Sequence, residues 1–274
     1  MNPFPLLIGG CPRSGTTALL QVLNSNPSCY ISSEENLPKL LAALSKVLGT
    51  QERRNEVISH KGMRALSFRE SLHEKNTNSH NFSQASVWPT VQFIYQNHHE
   101  KLSPGFPLLL WGDKFPNYFK NITTFMGISG LKYLHITRNP LDVVNSIMRR
   151  CEMTRQGKDW WKAITDFEEM INAWAVAYQV IQQIDGRPEV FHLHYEELVF
   201  DFCGSVARLN AFLGVDLAYE DILVSDPSKH FDRSFLSKEL KDQILSHLDV
   251  LCYIEKTKDN PVVSAALENE ARFN

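Results

Sequence analysis

Residues 5–27 read PLLIGGCPRSGTTALLQVLNSNP, and the fold follows from them. Pro5 to Ile8 is a short apolar run of the kind that makes a buried strand. Gly9, Gly10 and Gly15 bracket a loop carrying Pro12, Arg13, Ser14, Thr16 and Thr17. Ala18, Leu19, Leu20, Val22 and Leu23 then predict a helix with an apolar face, which Asn24 to Pro27 ends. Strand, glycine loop and helix in this order cradle an oxyanion. Glycines let successive N–H groups turn into one concavity. The helix adds its own unpaired N–H groups and positive dipole end. Gly10 and Gly15 keep the G-x4-G spacing of a phosphate loop, but Thr16 stands where nucleoside-triphosphate enzymes carry Lys. The cation is Arg13 instead, whose planar fork suits a pair of phosphate or sulfonate oxygens. The plainer reading is a glycine-rich turn that binds nothing.

A second stretch, residues 131–150, reads LKYLHITRNPLDVVNSIMRR. Tyr133 to Thr137 predicts another strand, and Asn139-Pro140 opens a helix with Pro in its first turn. Arg138 sits at the strand's carboxyl end, which faces the ligand crevice in open α/β sheets. Ser146 lies two turns into the helix, and Arg150 follows at i+4 on the same face. Taken singly, Arg138 reads as a surface charge and Arg150 as a cation at a helix C-terminus. With the first loop they suggest a second phosphate site.

The two motifs together, GGCPRSGTT and R-N-P-x-D-x-x-x-S, resemble the sulfotransferases that use 3′-phosphoadenosine 5′-phosphosulfate. The branch containing the tyrosylprotein sulfotransferases and bacterial relatives is the most similar. The resemblance covers residues 5–40 and 108–214. It implies an α/β, P-loop NTPase-like three-layer fold with a central parallel sheet flanked by helices, in one domain spanning 1–274, with a helical insertion near 50–105. It implies that Arg13 and the N–H groups of Ser14, Gly15, Thr16 and Thr17 hold the 5′ side of the carrier. Arg138, Ser146 and Arg150 would hold its 3′-phosphate, and Tyr195, in a Y-E-x-L context, would approach the nucleotide. No metal is expected.

Two further residues carry the transfer itself on this resemblance. Glu34, 21 residues beyond Arg13, would take the acceptor's proton. Its plainer reading is an acid in the first turn of a helix capped by Ser32-Ser33 and continuing through Leu37, Leu40, Leu41 and Leu44. Lys114, in PLLLWGDKFPNYFK just past a third strand, would neutralise the leaving oxygen. Its plainer reading is a surface Lys beside Asp113, and Asp113 is itself the runner-up base.

The remaining chain supplies the frame. With 274 residues, 43% of them hydrophobic, it can bury a substantial core. A net charge of −3 gives no bulk attraction to nucleic acid. Five scattered cysteines without CxxC spacing suit a reducing compartment better than disulfides or zinc. The start MNPFPLLIGG lacks a basic n-region, and no apolar run approaches the roughly 20 residues of a membrane helix, so a cytoplasmic enzyme is expected. Ala85–His99 predicts a helix, with Trp88, Phe93, Tyr95 and the histidines His60, His73, His80, His98 and His99 as candidate lining of an acceptor pocket. Residues 158–184 repeat apolar positions at helical spacing from Trp160 and Trp161 onward. Arg149 to Lys158 reads as a basic linker, Glu189–His194 as a strand, and Cys203–Leu213 as a helix stopped by Gly214. Ser228 and Lys229 are candidates for a late loop over the 3′-phosphate. Phe235–Leu251 predicts one helix, and the polar tail from Lys256 is expected either to pack late or to fray. The expected acceptor is a small-molecule metabolite bearing a hydroxyl or nitrogen, with a peptide tyrosine or glycan as the alternative. The rival classes are a small-molecule P-loop kinase and a non-catalytic nucleotide-binding module.

Overall fold

In the computed structural model the described residues are 4–35, 84–126, 130–158, 166–220 and 233–268. Among them, five strands form one sheet: β1 (Phe4–Gly9), β2 (Cys29–Ser33), β3 (Leu110–Lys114), β4 (Lys132–Thr137) and β5 (Val190–His194). All neighbours run parallel, in the order β2-β3-β1-β4-β5, so β1 is central. A parallel sheet must be covered on both faces, which explains the unbroken apolar runs that the sequence shows. Side chains alternate across β1: Leu6 and Ile8 join one core, Leu7 the other.

The first core is closed by α1 (Thr16–Asn24) and α7 (Phe202–Leu213), through Leu19, Leu23, Leu209 and Leu213. The second takes in α2 (Gln84–Leu102), α4 (Pro140–Arg155), α5 (Phe167–Ile184) and α9 (Leu248–Thr257). The shorter elements are α3 (Ile122–Phe125), α6 (Tyr195–Phe200), α8 (Lys238–Ser246) and α10 (Pro261–Glu268). The result is the three-layer, P-loop NTPase-like fold. Its register sets the strand ends level: Ile8 and Ser33 each pair with Lys114, and Thr137 pairs with His194. Everything following the five strands therefore meets at one carboxyl edge. No helix among the described residues is long and apolar enough to cross a membrane.

Several expectations change. Ser32 and Ser33 belong to β2, and Glu34 has φ 63°, so no helix begins there. The hydroxyl that looked like a cap is spent on Asp113. Arg149 to Arg155 is the last part of α4, not a linker. The expected helix at 235–251 breaks at His247, whose ψ of 133° is extended and whose Nδ1 accepts from the Asp249 N–H to start α9. Of the two alternatives for the tail, packing is the one seen: Val263 and Ala266 of α10 are buried, and Asn260 donates to Glu197. Helix α2 falls within the anticipated insertion, whose earlier part lies outside the described residues, as do Leu37 to Leu44. The five cysteines are free thiols.

Candidate active site

The loop after β1 is shaped by what crowds it. A side chain at Gly10 would bring its Cβ within 2.3 Å of the Ile136 carbonyl oxygen. At Gly15, whose φ is 97°, the Cβ would lie 2.3 Å from the Tyr195 ring. Only glycine tolerates both the backbone and the approach. The loop is pinned to the exit of β3 by Gly10 N–H to Pro116 O and Phe115 N–H to Ile8 O, both 3.0 Å. Gly15 starts α1 with no side-chain cap, so the first N–H groups of the helix are left for another acceptor. The Ser14 hydroxyl is fully buried and has no hydrogen-bond partner among the described residues. An orphaned donor beside uncapped helix N–H groups is what an oxyanion would satisfy. Thr16 is buried and Thr17 exposed.

The turn between β4 and α4 is held just as firmly. The Trp174 indole donates to the Arg138 carbonyl at 2.9 Å, and the Asn139 N–H donates to Glu196 at 2.8 Å. The Asn139 side chain accepts from the Leu141 N–H at 3.0 Å and caps α4. One turn on, Asp142 is gripped by two nitrogens of Arg233 at 2.8 and 3.2 Å. Burial pushes the Glu196 carboxyl up to about 7, against the pull of the Asn139 N–H.

From this anchored turn Arg138 lays its guanidinium over the Tyr195 ring, 4.6 Å from its centre. It also donates to the Arg13 carbonyl at 3.4 Å. Arg13 in turn donates from Nε to the Ser146 hydroxyl at 3.0 Å. Thus Arg13, Gly15, Arg138, Ser146 and Tyr195, spread over the sequence, form one cluster, with half-buried Arg150 a turn beyond Ser146 on α4. Burial raises the Tyr195 phenol, while Arg138 pulls it the other way.

Lys114 and Glu34 meet across the neighbouring strand ends. The Lys114 ammonium is 2.8 Å from the Glu34 carboxylate, with Lys114 buried and Glu34 open to solvent (2% and 53% exposed). The Glu34 N–H donates to the Lys114 carbonyl at 2.7 Å. Among the described residues Arg13 and Glu34 are the non-glycine positions with positive φ, 75° and 63°. Backbone strain of this kind gathers where function demands a particular orientation.

Asp113, the other candidate base, is fully buried and accepts from Ser32, Tyr118 and the Glu35 N–H. Both its oxygens are therefore engaged, whereas Glu34 is open to solvent. Tyr95 is a buried partner of Ser32, and His99 is tied to the Pro27 carbonyl at 2.7 Å; both hold structure rather than line a pocket. Phe93 is exposed. His60, His73, His80, Trp160, Trp161, Ser228 and Lys229 and the Trp88 side chain lie outside the described residues. Trp174, Glu196 and Arg233 were not legible as site residues, because each acts on a partner between 36 and 91 positions away.

A sequence profile of the Sulfotransferase family matches residues 5–221. The chain is 25% identical over 228 residues to the protein-tyrosine sulfotransferase A of Caenorhabditis elegans, covering 80% of this chain and 51% of that one. It therefore spans about half the length of that curated relative. Among solved structures, the sulfotransferase domain of the Synechococcus PCC 7002 olefin synthase superposes with a TM-score of 0.50 at 19% identity, over 94% of each chain. A sulfotransferase of Alicyclobacillus acidocaldarius gives 0.48 at 17%, over 93% and 96%. A profile match running from β1 past α7, on the fold seen in the Synechococcus domain, places this chain in the sulfotransferase family.

Proposed function

We propose that the enzyme moves a sulfonate from 3′-phosphoadenosine 5′-phosphosulfate to a hydroxyl or nitrogen of a small-molecule metabolite in the cytoplasm, acting as one domain over 1–274. The observation that carries this reading is the convergence of Arg13, Arg138 and Ser146 around an uncapped helix start with a buried, unpartnered Ser14 hydroxyl. Two fixed cations over such a cradle fit a carrier bearing a phosphosulfate at one end and a phosphate at the other. The donor supplies a sulfur whose bond to the 5′-phosphate oxygen breaks as the acceptor's bond to sulfur forms.

The residues of the chain do the following. Arg13 and the N–H groups of Ser14 to Thr17 bind the 5′ side. Arg138, Ser146 and Arg150 bind the 3′-phosphate, and Tyr195 backs Arg138 and closes the nucleotide side. Lys114 offsets the charge that grows on the leaving oxygen, the service that cations perform in phosphoryl transfer. Glu34, solvent-open beside it, accepts the proton of the attacking group. Both side chains are already at one spot, which removes part of the entropy of bringing them together.

The test has two arms. Adenosine 3′,5′-bisphosphate raises the melting temperature while magnesium-ATP does not. Incubation with donor and a metabolite extract yields a species heavier by one SO3, which Glu34→Ala and Lys114→Ala abolish. Stabilisation by magnesium-ATP alone would refute the reading. A peptide tyrosine is the second candidate acceptor, favoured by the 25% identity to the nematode protein, and a tyrosine peptide in the same assay separates the two.

A further inference from the structure

We infer that Asp113 is a positioning residue whose carboxylate clamps the turn on both sides of Glu34 and so aims Glu34 at Lys114 and the acceptor. The inference rests on the reading of Glu34 as the base. Asp113 is the next-to-last residue of β3, and its side chain is fully buried. Its Oδ1 accepts from the Ser32 hydroxyl at 2.6 Å and from the Glu35 N–H at 3.2 Å, and its Oδ2 accepts from the Tyr118 hydroxyl. Ser32 lies two residues before Glu34 and Glu35 one after it, so the two bonds bracket the base. Glu34 needs such a bracket. Its φ of 63° is a conformation that non-glycine side chains resist, and its side chain is 53% exposed, with the Lys114 ammonium as its partner among the described residues.

The clamp is itself supported. The Tyr95 hydroxyl, from α2, lies 2.5 Å from the Ser32 oxygen, so with Ser32 donating to Asp113, Tyr95 donates to Ser32. Tyr118 reaches Asp113 from the 3-10 turn Pro116–Asn121 that follows β3. Three donors converge on two oxygens, a set that only an acceptor can satisfy. Burial holds the Asp113 carboxyl above its ordinary value, and the three donors offset that rise only in part. Asparagine has the shape of this side chain, but it turns one acceptor into a donor facing a donor.

The experiment pairs Asp113→Asn with Glu34→Gln and reads three quantities. These are turnover with p-nitrophenol as probe acceptor, affinity for adenosine 3′,5′-bisphosphate by calorimetry, and hydrogen exchange of the Glu35 amide. Asp113→Asn is expected to lower kcat by about tenfold to a hundredfold, the scale of a misplaced catalytic group. The bisphosphate affinity stays within about twofold, because its ligands lie on other strands, and the Glu35 amide exchanges faster. In the Glu34→Gln background the same substitution costs no further turnover, since the group it acts through has gone. An equal loss in both backgrounds overturns the inference, as does an unchanged Glu35 amide. Full turnover by Glu34→Gln sinks the base assignment, and with it the part of Asp113 in the reaction. Unchanged exchange sinks the clamp alone. If Asp113→Asn does not fold, Ser32→Ala removes one arm of the bracket and is held to the same outcomes; if p-nitrophenol is not turned over, the exchange measurement decides.

Discussion

Replacing Gly15 by alanine should strike stability and nucleotide binding together, by a route visible in the structure. At φ 97° an L-residue is strained, at a cost of about 1 kcal/mol. The new Cβ would stand 2.3 and 2.7 Å from two carbons of the Tyr195 ring, against an ordinary contact near 3.5–4 Å, so the ring must move by about an ångström. That ring carries the Arg138 guanidinium, an arrangement worth about 0.5–2 kcal/mol. The sum is about 1.5–3 kcal/mol, or a fall in melting temperature of roughly 3–12 °C for a chain of this size. Displacing Arg138 should weaken adenosine 3′,5′-bisphosphate about tenfold or more, since each tenfold corresponds to about 1.4 kcal/mol. The assay is a cycle with Tyr195→Ala, measured by denaturant unfolding and calorimetry. Without the ring the collision vanishes, and Gly15→Ala should then cost only the backbone strain of about 1 kcal/mol. If alanine costs as much in the Tyr195→Ala background as in the wild type, the ring is not what the glycine makes room for and the reasoning fails.

Lys114→Met should lower kcat by about a hundredfold to a thousandfold, the usual loss for a positioned charge at a leaving group, while bisphosphate affinity holds; a loss below tenfold in single-turnover kinetics would refute its role. Arg233→Met leaves the buried Asp142 carboxylate unpaired and should cost about 3–5 kcal/mol in urea unfolding, most of it recovered by adding Asp142→Leu. Acid stability has a definite sign. Burial and neighbouring imidazoles hold His135 well below its ordinary value and His194 at about 3, whereas burial holds Glu196 at about 7. Between about pH 6.5 and 4.5 the unfolded chain binds two extra protons at the histidines and the folded chain one at Glu196. The net single proton makes stability fall by about 1.4 kcal/mol per unit as the pH drops. Glu196→Gln should double that slope, and an unchanged slope in unfolding curves across this range would contradict it.

What could be read in the sequence was local. GGCPRSGTT names its own turn, because glycine, cation and hydroxyl are all within one loop and the following helix begins at once. Asn139-Pro140 announces a helix start for the same reason. Glu34 was harder, since Ser32-Ser33-Glu34-Glu35 has the composition of a helix cap. The hydroxyl that decides the matter is taken by Asp113, a partner 81 positions away. Asp113 carried the chemistry of a base but not its exposure, which depends on packing against α2 and the turn after β3. The break at His247 left no trace in the apolar spacing on either side. Tertiary partners rather than propensity settle such places.

The strand order β2-β3-β1-β4-β5 has a consequence for how such an enzyme diversifies. On the proposed division of labour, the carrier is gripped beside β1, β4 and β5, and the transfer is run from β2 and β3. The chain visits β2, α2 and β3 in one uninterrupted run, residues 28–121, between two stretches that build the other half. On that proposal, recognition of the incoming molecule would be encoded as a single cassette, bounded by β1 as a party wall. A chimera carrying that run from a relative should inherit the donor's choice of acceptor while leaving the grip on adenosine 3′,5′-bisphosphate as it was.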